Sequence, residues 1–437
     1  MAESVWLRGF GRLAIANIIS NLMVPLAGLI DTAFLGHLAD IRHLAGVALA
    51  TVLFNGIYWS FGFLRMGTTG LMAQAAGRGD QPEQWRVGLR GLMIALGLGL
   101  VILLGQLPLR QVGFAILRAD ADVLEAGVAF YQGRIWDAPA VLMNYVILGW
   151  FLGLGRSRQV LVLAVVGNGT NILLDYGMIV RLGWESYGAG LATALSQYVM
   201  LLVGALLLAR SVPWEQVGQQ WRTVWNRRAI GDLFRLNRDI MVRTWALLVS
   251  FGAFTNLSGG MGTETLAVNT LLIQALMLVS YFLDGIAFAT ETYAGQCHGQ
   301  GHRHRLRTLL TVGGVISVGL GLACAIAFIT FPQPLFGLLT DHAAILSQID
   351  RYVLWLLPVF GFGAMAFMLD GYFLGLTLGS TLRNSTLLAT LIGFIPLASV
   401  AYAHQSPHLL WLAMTCFMAI RALSLVLAVP SSLQSSS

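Results

Sequence analysis

Twelve long apolar segments, separated by short polar ones, run along the 437-residue chain. Crossing ~30 Å of hydrocarbon takes roughly 20 helical residues, and each segment approaches or exceeds that length. The pattern therefore predicts twelve membrane-spanning helices, named spans 1 to 12 in chain order. Their predicted limits are 12–36, 47–74, 89–109, 123–153, 159–180, 187–209, 240–258, 265–296, 309–331, 347–378, 386–404 and 408–430.

The amino-acid composition also indicates a membrane protein. Hydrophobic residues make up 57% of it and charged residues 11%, whereas soluble domains carry about 25% charged residues. The first span is longer than a signal-peptide core and lacks an A-x-A cleavage site, so we expect it to be retained. These features predict an all-α polytopic membrane protein embedded in the lipid bilayer.

Arginine supplies all 26 basic residues, and most of them lie in the short gaps between spans. With an even number of spans both termini lie on one side, and the arginines concentrate in the gaps of that side. The opposite gaps hold only Arg42, Arg110, Arg118 and Arg181. The positive-inside rule therefore predicts that both termini are cytoplasmic. The net charge of +6 reflects this topology, and nucleic acid is not expected as a partner.

The second half of the chain repeats the first at an offset of 222 residues. The segment "LAGVALA" from Leu44 aligns with "LAVNTLL" from Leu266, and "GWFLGLG" from Gly149 aligns with "GYFLGLT" from Gly371. Because each half has six spans, both halves cross the membrane in the same orientation. Two six-helix lobes related as a parallel repeat are typical of transporters that alternate access to a central cavity.

The repeat and the longest polar stretch, Arg210 to Asp239, together divide the chain into four parts. We expect an N-lobe with spans 1 to 6 at 1–209 and a cytoplasmic linker at 210–239. A C-lobe with spans 7 to 12 follows at 240–430, and a polar, disordered tail at 431–437.

Asp31 is a carboxylate inside the apolar stretch "VPLAGLIDTAFLGHL" of span 1, toward its outer end. An ionisable residue in a span is by default a functional candidate, because burying its charge is costly. Pro25 lies six residues earlier and predicts a bend that could respond to the protonation of Asp31. The alternative is a capping or snorkelling residue at the span end, a role for which Asp40 and His37 are better placed.

Span 5 carries a polar stripe. Asn168, Asn171 and Asp175 are spaced i, i+3 and i+7, which puts them on one helix face. The stripe predicts a functional site, and the alternative is hydrogen bonding between packed helices. Thr193 in span 6 is a possible partner, although a hydroxyl bonded to its own helix explains it equally well.

The remaining intramembrane charges have mostly structural interpretations. Asp370 in span 10 either lines the C-lobe cavity or hydrogen-bonds the adjacent backbone. Arg134 and Asp137, at i and i+3 in span 4, are expected to neutralise one another. Asp284 and Glu291 share a face of span 8 and are expected to pair with an arginine as a structural lock. The intramembrane arginines recognised in the sequence are Arg65, Arg134 and Arg243.

Four segments carry a resemblance to a known family. "PLAGLIDTAFLGHL" in span 1, "LNRDIMVRTWALL" from Leu236, "LDGIAFATETYAGQCHGQG" from Leu283 and "LDGYFLGLT" from Leu369 resemble the DinF branch of the MATE multidrug exporters. The resemblance implies a MATE-like fold and a bacterial inner-membrane antiporter. It also implies that cationic, amphipathic compounds leave the cell in exchange for H⁺, or Na⁺ in some relatives.

The resemblance also implies roles for particular residues. The coupling carboxylate of such proteins is the span 1 aspartate, Asp31 here, surrounded by a span 5 asparagine and aspartate and a span 6 threonine. Span 7 has no glutamate of the kind that another branch uses in its C-lobe site, and it carries Arg243 instead. The predicted residues are Asp31 and Asp175 for proton coupling, Asn168, Asn171, Thr193 and Asp370 for the site lining, and Pro25 for the hinge.

Three function classes are compared with these features. A proton-coupled or sodium-coupled exporter, expected to be a monomer without a cofactor, agrees best. A flippase of lipid-linked precursors is the alternative, and it would need several cations facing the cavity to hold phosphates. An intramembrane enzyme agrees poorly, because the HExxH, GxSxG and GxGD motifs are absent. Cys297, Cys324 and Cys416 form no spaced pair, so no metal site is predicted.

Overall fold

The structure is a computed structural model that describes residues 2–38, 40–117, 119–210, 212, 227–340 and 343–434. Helices account for nearly all of these residues, and no strand occurs among them. Twelve helical segments are long and apolar enough to cross a membrane, as the sequence predicts. In chain order these spans are Trp6–Gly36, Arg42–Gly77, Gln81–Leu104, Ala121–Gly153, Ser157–Arg181, Glu185–Ala209, Leu233–Gly260, Thr263–Gly299, Arg303–Thr330, Ile345–Gly375, Gly379–Ala403 and Pro407–Gln434.

Several spans contain breaks in the regular α-helix. Span 2 consists of helices Arg42–Ser60 and Phe63–Gly77. Span 4 runs as Ala121–Arg134, a 3₁₀ turn Ile135–Asp137, and Ala138–Gly153. Span 5 passes from helix Ser157–Asp175 into a π-helical segment. The remaining helix bounds within the interrupted spans are Tyr176–Arg181 (π), Ala343–Tyr352, Val353–Trp355 (3₁₀), Leu356–Gly375, Gly379–Leu388, Ala389–Phe394 (π) and Ile395–Ala403.

The breaks recur between the two halves. Spans 4 and 10 each contain a 3₁₀ turn followed within three residues by a proline, Pro139 or Pro358. Proline fits the first turn of a helix but cannot continue the helix before it, since it lacks the N–H and its ring clashes with the preceding turn. Spans 5 and 11 each contain a π-helical segment. The same kinds of break therefore occur in corresponding spans of the two halves, although not at positions 222 residues apart.

Paired glycines fix the closest helix contacts at the same register in both halves. A Cβ on Gly149 or Gly153 of span 4 would overlap the backbone of span 2 at Arg65 and Thr69. A Cβ on Gly371 or Gly375 of span 10 would overlap the backbone of span 8 at Ala287 and Glu291, each 222 residues further on. Small residues four apart let two membrane helices approach backbone to backbone. The offset found in the sequence is thus repeated in the packing.

The chain forms two compact units. One contains residues 19–233, and the other contains residues 1–18 together with 234–437. The start of span 1 packs in the second unit, where Tyr293 of span 8 makes edge contacts with Trp6 and Phe10 at 5.2 and 5.6 Å between ring centroids. The boundary at residue 233 falls inside the linker predicted at 210–239.

The second unit has an apolar core with a polar ladder at its edge. Phe254, Leu272 and Phe360 are fully or almost fully buried in this core. The Trp411 indole donates to Asn269 Oδ1 at 2.9 Å, and the Asn269 amide donates to Ser258 Oγ at 2.8 Å. Each buried polar atom of the ladder thereby obtains a partner, as a low-dielectric interior demands.

Two sequence expectations about polar segments need correction. The helix of span 7 begins at Arg227, inside the predicted linker, while residues 211 and 213–226 lie outside the described part. The tail predicted as disordered is helical as far as Gln434, and Ser432 is buried with its hydroxyl 3.0 Å from the Tyr372 hydroxyl. Residues 435–437 lie outside the described part. The hydropathy pattern does not predict these helical residues at the start of span 7 and the end of span 12, because a helix does not stop where its residues become polar.

The glycine contacts give a prediction about stability. Gly371→Val places a branched side chain against the span 8 backbone, so overpacking should destabilise the protein by about 1–3 kcal/mol or more. The matched control is Gly97→Val in span 3, where an added Cβ meets no atom within 4 Å. Thermal unfolding of the purified proteins in detergent measures both changes. Equal melting temperatures for the two variants would contradict the assignment of Gly371 to a backbone contact.

Candidate functional site

Three of the predicted residues come together between spans 1 and 5. The Asn171 amide donates to Asp175 Oδ2 at 2.8 Å, one helical turn further along span 5. The Asp175 carboxyl lies next to the Asp31 carboxyl of span 1, close enough for a proton on one of them to form a hydrogen bond to the other. Asn171 and Asp175 are buried, and Asp31 is partly buried. We call Asp31, Asp175 and Asn171 the carboxyl pair cluster.

The chemistry of this cluster follows from its two carboxyls. A hydrogen bond between Asp31 and Asp175 needs a proton on one of them, because two carboxylates offer no donor. Two carboxylates side by side in an apolar setting also repel each other, so ionisation of one disfavours ionisation of the other. Their protons therefore belong to the pair as a unit. The cluster can hold one or two protons and changes its charge by one unit between those states.

The backbone around the cluster is irregular on the span 5 side. Asp175 is the last α-helical residue before the π-helical segment Tyr176–Arg181, whose widened turn shows in the hydrogen bond from Leu182 N to Gly177 O at 3.0 Å. Single π-helical turns occur often at functional sites. On the span 1 side, the helix Ala2–Gly36 runs through Pro25 without a break, so the hinge at Pro25 stays a prediction.

Two other predicted residues bond to their own helices. The Asn168 amide donates to Ala164 O at 2.8 Å, and the Thr193 hydroxyl donates to Ala189 O at 2.9 Å. For Thr193 this is the alternative recognised in the sequence, whereas for Asn168 the alternative was a hydrogen bond between packed helices. A role in lining the site stays a prediction for both residues.

A second charged cluster lies on spans 2 and 4, in the same compact unit. Asp137 is fully buried in the 3₁₀ turn of span 4. Its carboxylate accepts a hydrogen bond from the Tyr58 hydroxyl, and its Oδ2 lies 3.4 Å from Nε of Arg134. The mutual neutralisation of Arg134 and Asp137 expected from their spacing is present. The Arg134 guanidinium also interacts electrostatically with Asp31.

The other compact unit holds a carboxylate between two arginines. Asp370 of span 10 accepts hydrogen bonds at the same oxygen, Oδ2, from Arg243 of span 7 and Arg421 of span 12. All three side chains are buried. The arrangement links spans 7, 10 and 12 by charge. The arginine pairing expected for Asp284 stays a prediction.

Arg421 is a functional candidate that the sequence analysis missed. It was not counted among the intramembrane arginines, although it stands alone in the apolar run "AMTCFMAIRALSLVLAV" of span 12. Its position in the middle of that run was a sufficient signal. Arg421 changes the interpretation of Asp370, because the Asp370 carboxylate accepts hydrogen bonds from two arginine side chains.

No group of three or more potential ligands suited to a metal ion occurs within the part of the chain that the structure describes. The oxygen atoms of the carboxyl pair cluster come from two carboxyls and one amide. Such a set suits a proton or a small cation better than a transition metal, which favours imidazole or thiolate ligands.

Comparisons with known proteins agree with the fold and with its internal repeat. The family described as MatE matches the chain twice, over residues 16–177 and 240–400. The DNA damage-inducible protein F of Escherichia coli K12 is 37% identical over 416 residues, covering 94% of this chain and 90% of the relative. A probable multidrug resistance protein NorM of Synechococcus is 27% identical over 379 residues, covering 84% and 79%.

Solved structures resemble the fold over nearly its whole length. A multidrug resistance MATE family transporter in an outward-facing conformation superposes with a TM-score of 0.88 at 22% identity, covering 98% of this chain and 96% of that one. A transporter of the MOP superfamily from Pyrococcus furiosus gives 0.87 at 21% identity, with the same coverage. The twofold match to the family and the similarity to the Escherichia coli protein show that this chain belongs to the MatE family of multidrug efflux transporters.

Proposed function

We propose that the protein exports small cationic, amphipathic compounds across a bacterial inner membrane in exchange for protons, with coupling in its N-terminal half. The observation that carries the proposal is the close approach of the Asp31 and Asp175 carboxyls, which belong to different spans, with Asn171 donating to Asp175. The polar cluster has no counterpart in the second half, where the repeat places Ala253, Gly393 and Leu397.

The exchange follows because an organic cation and a second proton compete for the single negative charge of the Asp31–Asp175 pair. With one proton, the Asp31–Asp175 pair carries a single negative charge and attracts an organic cation. That attraction is stronger in apolar surroundings than in water. A second proton, taken from outside, removes the charge and releases the cation. Because linked sites influence each other equally, each ligand weakens the binding of the other by the same factor, typically about 5–150-fold.

Span 1 supplies the movement in this proposal. Pro25 leaves a carbonyl of the preceding turn without its helical hydrogen bond, which makes the helix easiest to bend there. Asp31 lies six residues further on, so a change in its hydrogen bond with Asp175 moves the end of span 1 relative to span 5. Loss of the cluster's charge and bending at Pro25 would then occur together.

The proposed placement in the membrane uses the charge pattern. Both termini and the inter-lobe linker at 210–239 lie on the cytoplasmic side in this proposal, and the lobes are assigned to 1–209 and 240–430. One chain forms both lobes, so we propose a monomer. Sodium remains the competing coupling ion, because carboxyl and amide oxygens are ligands that hard cations prefer.

The flippase alternative is less well supported. Phosphate recognition needs cationic side chains that are open to the ligand. Arg134, Arg243 and Arg421 each contact a carboxylate already. The exporter remains the proposal for that reason.

The first prediction concerns Asp31→Asn. The amide that replaces the Asp31 carboxyl cannot ionise, which leaves Asp175 as the one titrating carboxyl of the carboxyl pair cluster. The variant should therefore insert and fold but export nothing, and the pH range of its cation binding should differ from that of wild type. Binding of a fluorescent organic cation to purified wild type and variant between pH 5 and 8 measures this. Transport in proteoliposomes with opposed proton and sodium gradients identifies the ion. Retention of wild-type export and pH dependence would show that Asp31 is structural.

The second prediction tests whether the cluster is one site. Asn171→Ala and Asp175→Asn should each reduce export strongly. Combined with Asp31→Asn, either should add little, because residues in one hydrogen-bonded unit lose their function together. Because Asp31→Asn is expected to export nothing, the coupling is measured from the affinities of the single and double variants for the fluorescent cation. Thr244→Val in span 7 serves as a control, since its hydroxyl bonds only to Ile240 O in its own helix. Fully additive losses would separate Asp31 from span 5.

The third prediction concerns Asp370. Asp370→Asn leaves Arg243 and Arg421 buried side by side, and loss of one partner from a buried ion pair costs about 3–5 kcal/mol. Adding Arg421→Gln restores the charge balance and should recover much of the melting temperature. In the double variant, proton flux driven by substrate should persist. Its complete loss in a folded double variant would move coupling to the C-terminal half.

A further inference from the structure

We propose that the basic surface at the start of span 9 binds the phosphate group of an anionic phospholipid at the edge of the membrane. This surface, called the span 9 basic cluster, consists of His302, Arg303, His304, Arg305 and Arg307. The proposal concerns the surrounding membrane and does not depend on proton coupling at the carboxyl pair cluster.

The helix of span 9 presents these cations at its first turn. It begins at Arg303, and Leu306 and Leu309 on its inner side are fully buried, which fixes its rotation. His302, Arg303, His304 and Arg307 are exposed, and Arg305 is partly buried. The packing of span 9 therefore holds the basic side chains at the surface, where a ligand can reach them.

The span 9 basic cluster has no acidic partner in its own part of the chain. No Asp or Glu occurs between Glu291 and Asp341. Among the described residues, Arg303, Arg305 and Arg307 form no ion pair, and Arg303 donates a hydrogen bond to the main-chain oxygen of Gln434 at 3.5 Å. The helix dipole repels cations at this end of a helix. An anion from outside the protein would relieve both kinds of repulsion.

The equivalent part of the first half supplies its own acids. Asp80, at the position of His302, caps span 3 by accepting a hydrogen bond from the Glu83 main-chain N–H at 3.0 Å, whereas span 9 has no side-chain cap. Glu83, at the position of Arg305, lies 2.9 Å from the Arg90 guanidinium. The first half thus neutralises its arginines internally, and the second half leaves a cationic surface at the same point of the repeat.

An apolar surface continues from the arginines along the same helix. Arg303, Arg307, Thr311 and Val315 follow one another at four-residue intervals and form a ridge that is exposed or partly exposed throughout. Val315 is 69% exposed and the adjacent Ile316 is 44% exposed. About 18 Å of helix separates Arg303 from Val315, at about 1.5 Å per residue. A phospholipid with its phosphate at the guanidinium groups could lay an acyl chain along this apolar part.

The chemistry of the span 9 basic cluster selects the class of lipid. A planar guanidinium matches the oxygens of a phosphate group and stays charged at every physiological pH. Each arginine near an anionic membrane surface strengthens attraction about fivefold. A zwitterionic lipid carries an ammonium group that offsets this attraction. The geometry therefore favours an anionic glycerophospholipid such as phosphatidylglycerol.

The experiment measures binding of fluorescent phosphatidylglycerol to the purified full-length protein in a neutral detergent, with zwitterionic phosphatidylcholine as the comparison. Wild type should prefer phosphatidylglycerol, and about 1 M salt should remove most of the preference by screening. Arg303→Gln/Arg307→Gln should weaken phosphatidylglycerol binding about 25-fold, or about fivefold for each arginine. Arg303→Lys/Arg307→Lys keeps the charge and should lose less affinity.

A second variant tests the comparison with the first half. His302→Asp/Arg305→Glu recreates the arrangement of Asp80 and Glu83, so it should fold and lose the preference for phosphatidylglycerol. Arg86→Gln is the matched control at the start of span 3, where Arg86 lies 3.5 Å from Glu83. Because that arginine is already neutralised, the control should bind phosphatidylglycerol as wild type does.

Three outcomes would overturn the proposal. They are equal affinity of wild type for the two lipids, unchanged binding of phosphatidylglycerol in folded Arg303→Gln/Arg307→Gln, and complete displacement of the lipid by an equal concentration of inorganic phosphate. The last would identify a site for free anions. The salt dependence of wild type decides without any variant. Asp31→Asn should bind phosphatidylglycerol normally, so failure of proton coupling and failure of lipid binding are distinguishable.

Discussion

A carboxyl buried away from water needs either a proton or a cation beside it, and this constraint governs the membrane spans described above. The two halves of the chain satisfy it by different means. In the first, the carboxyls of Asp31 and Asp175 lie beside each other, where a proton on one of them removes their repulsion, and Asp137 lies beside Arg134. In the second, Asp370 lies between two guanidinium groups. A proton can leave and return during a transport cycle, whereas guanidinium groups keep theirs at every physiological pH. Only the first arrangement can follow a proton gradient.

This contrast arises on closely similar backbones. The halves share their order of six spans, the 3₁₀ turns of spans 4 and 10, the π-helical segments of spans 5 and 11, and the glycine contacts. The side chains that line them differ at nearly every charged position. Similarity of backbone therefore supports a common fold for the two halves, while the chemistry of each half has to be read from its own residues.

The sequence predicts the number of spans, their approximate limits and the internal repeat, because apolar length and register are properties of the chain itself. Helical spacing places Asn171 and Asp175 on one face of span 5, and the family resemblance alone adds Asp31 to them. The 3₁₀ turn in span 4 and the π-helical segment in span 5 depend on helix packing, which the sequence pattern does not show. Arg421 was not recognised as an intramembrane arginine for a different reason, because one charge scarcely changes the mean hydropathy of a long apolar run. Asn168 lies on the predicted stripe, yet its amide bonds to its own helix, a choice that spacing cannot reveal.

The glycine contacts have a consequence for how such proteins diversify. At Gly149 and Gly371 the helices meet through backbone atoms, and backbone atoms are the same whatever side chains surround them. The helix packing at these contacts therefore does not change when residues that line a cavity are substituted. A transporter built on this frame can change the compounds it recognises through many generations without having to rebuild its helix packing. A broad and shifting range of substrates is what a defence against unfamiliar toxins requires.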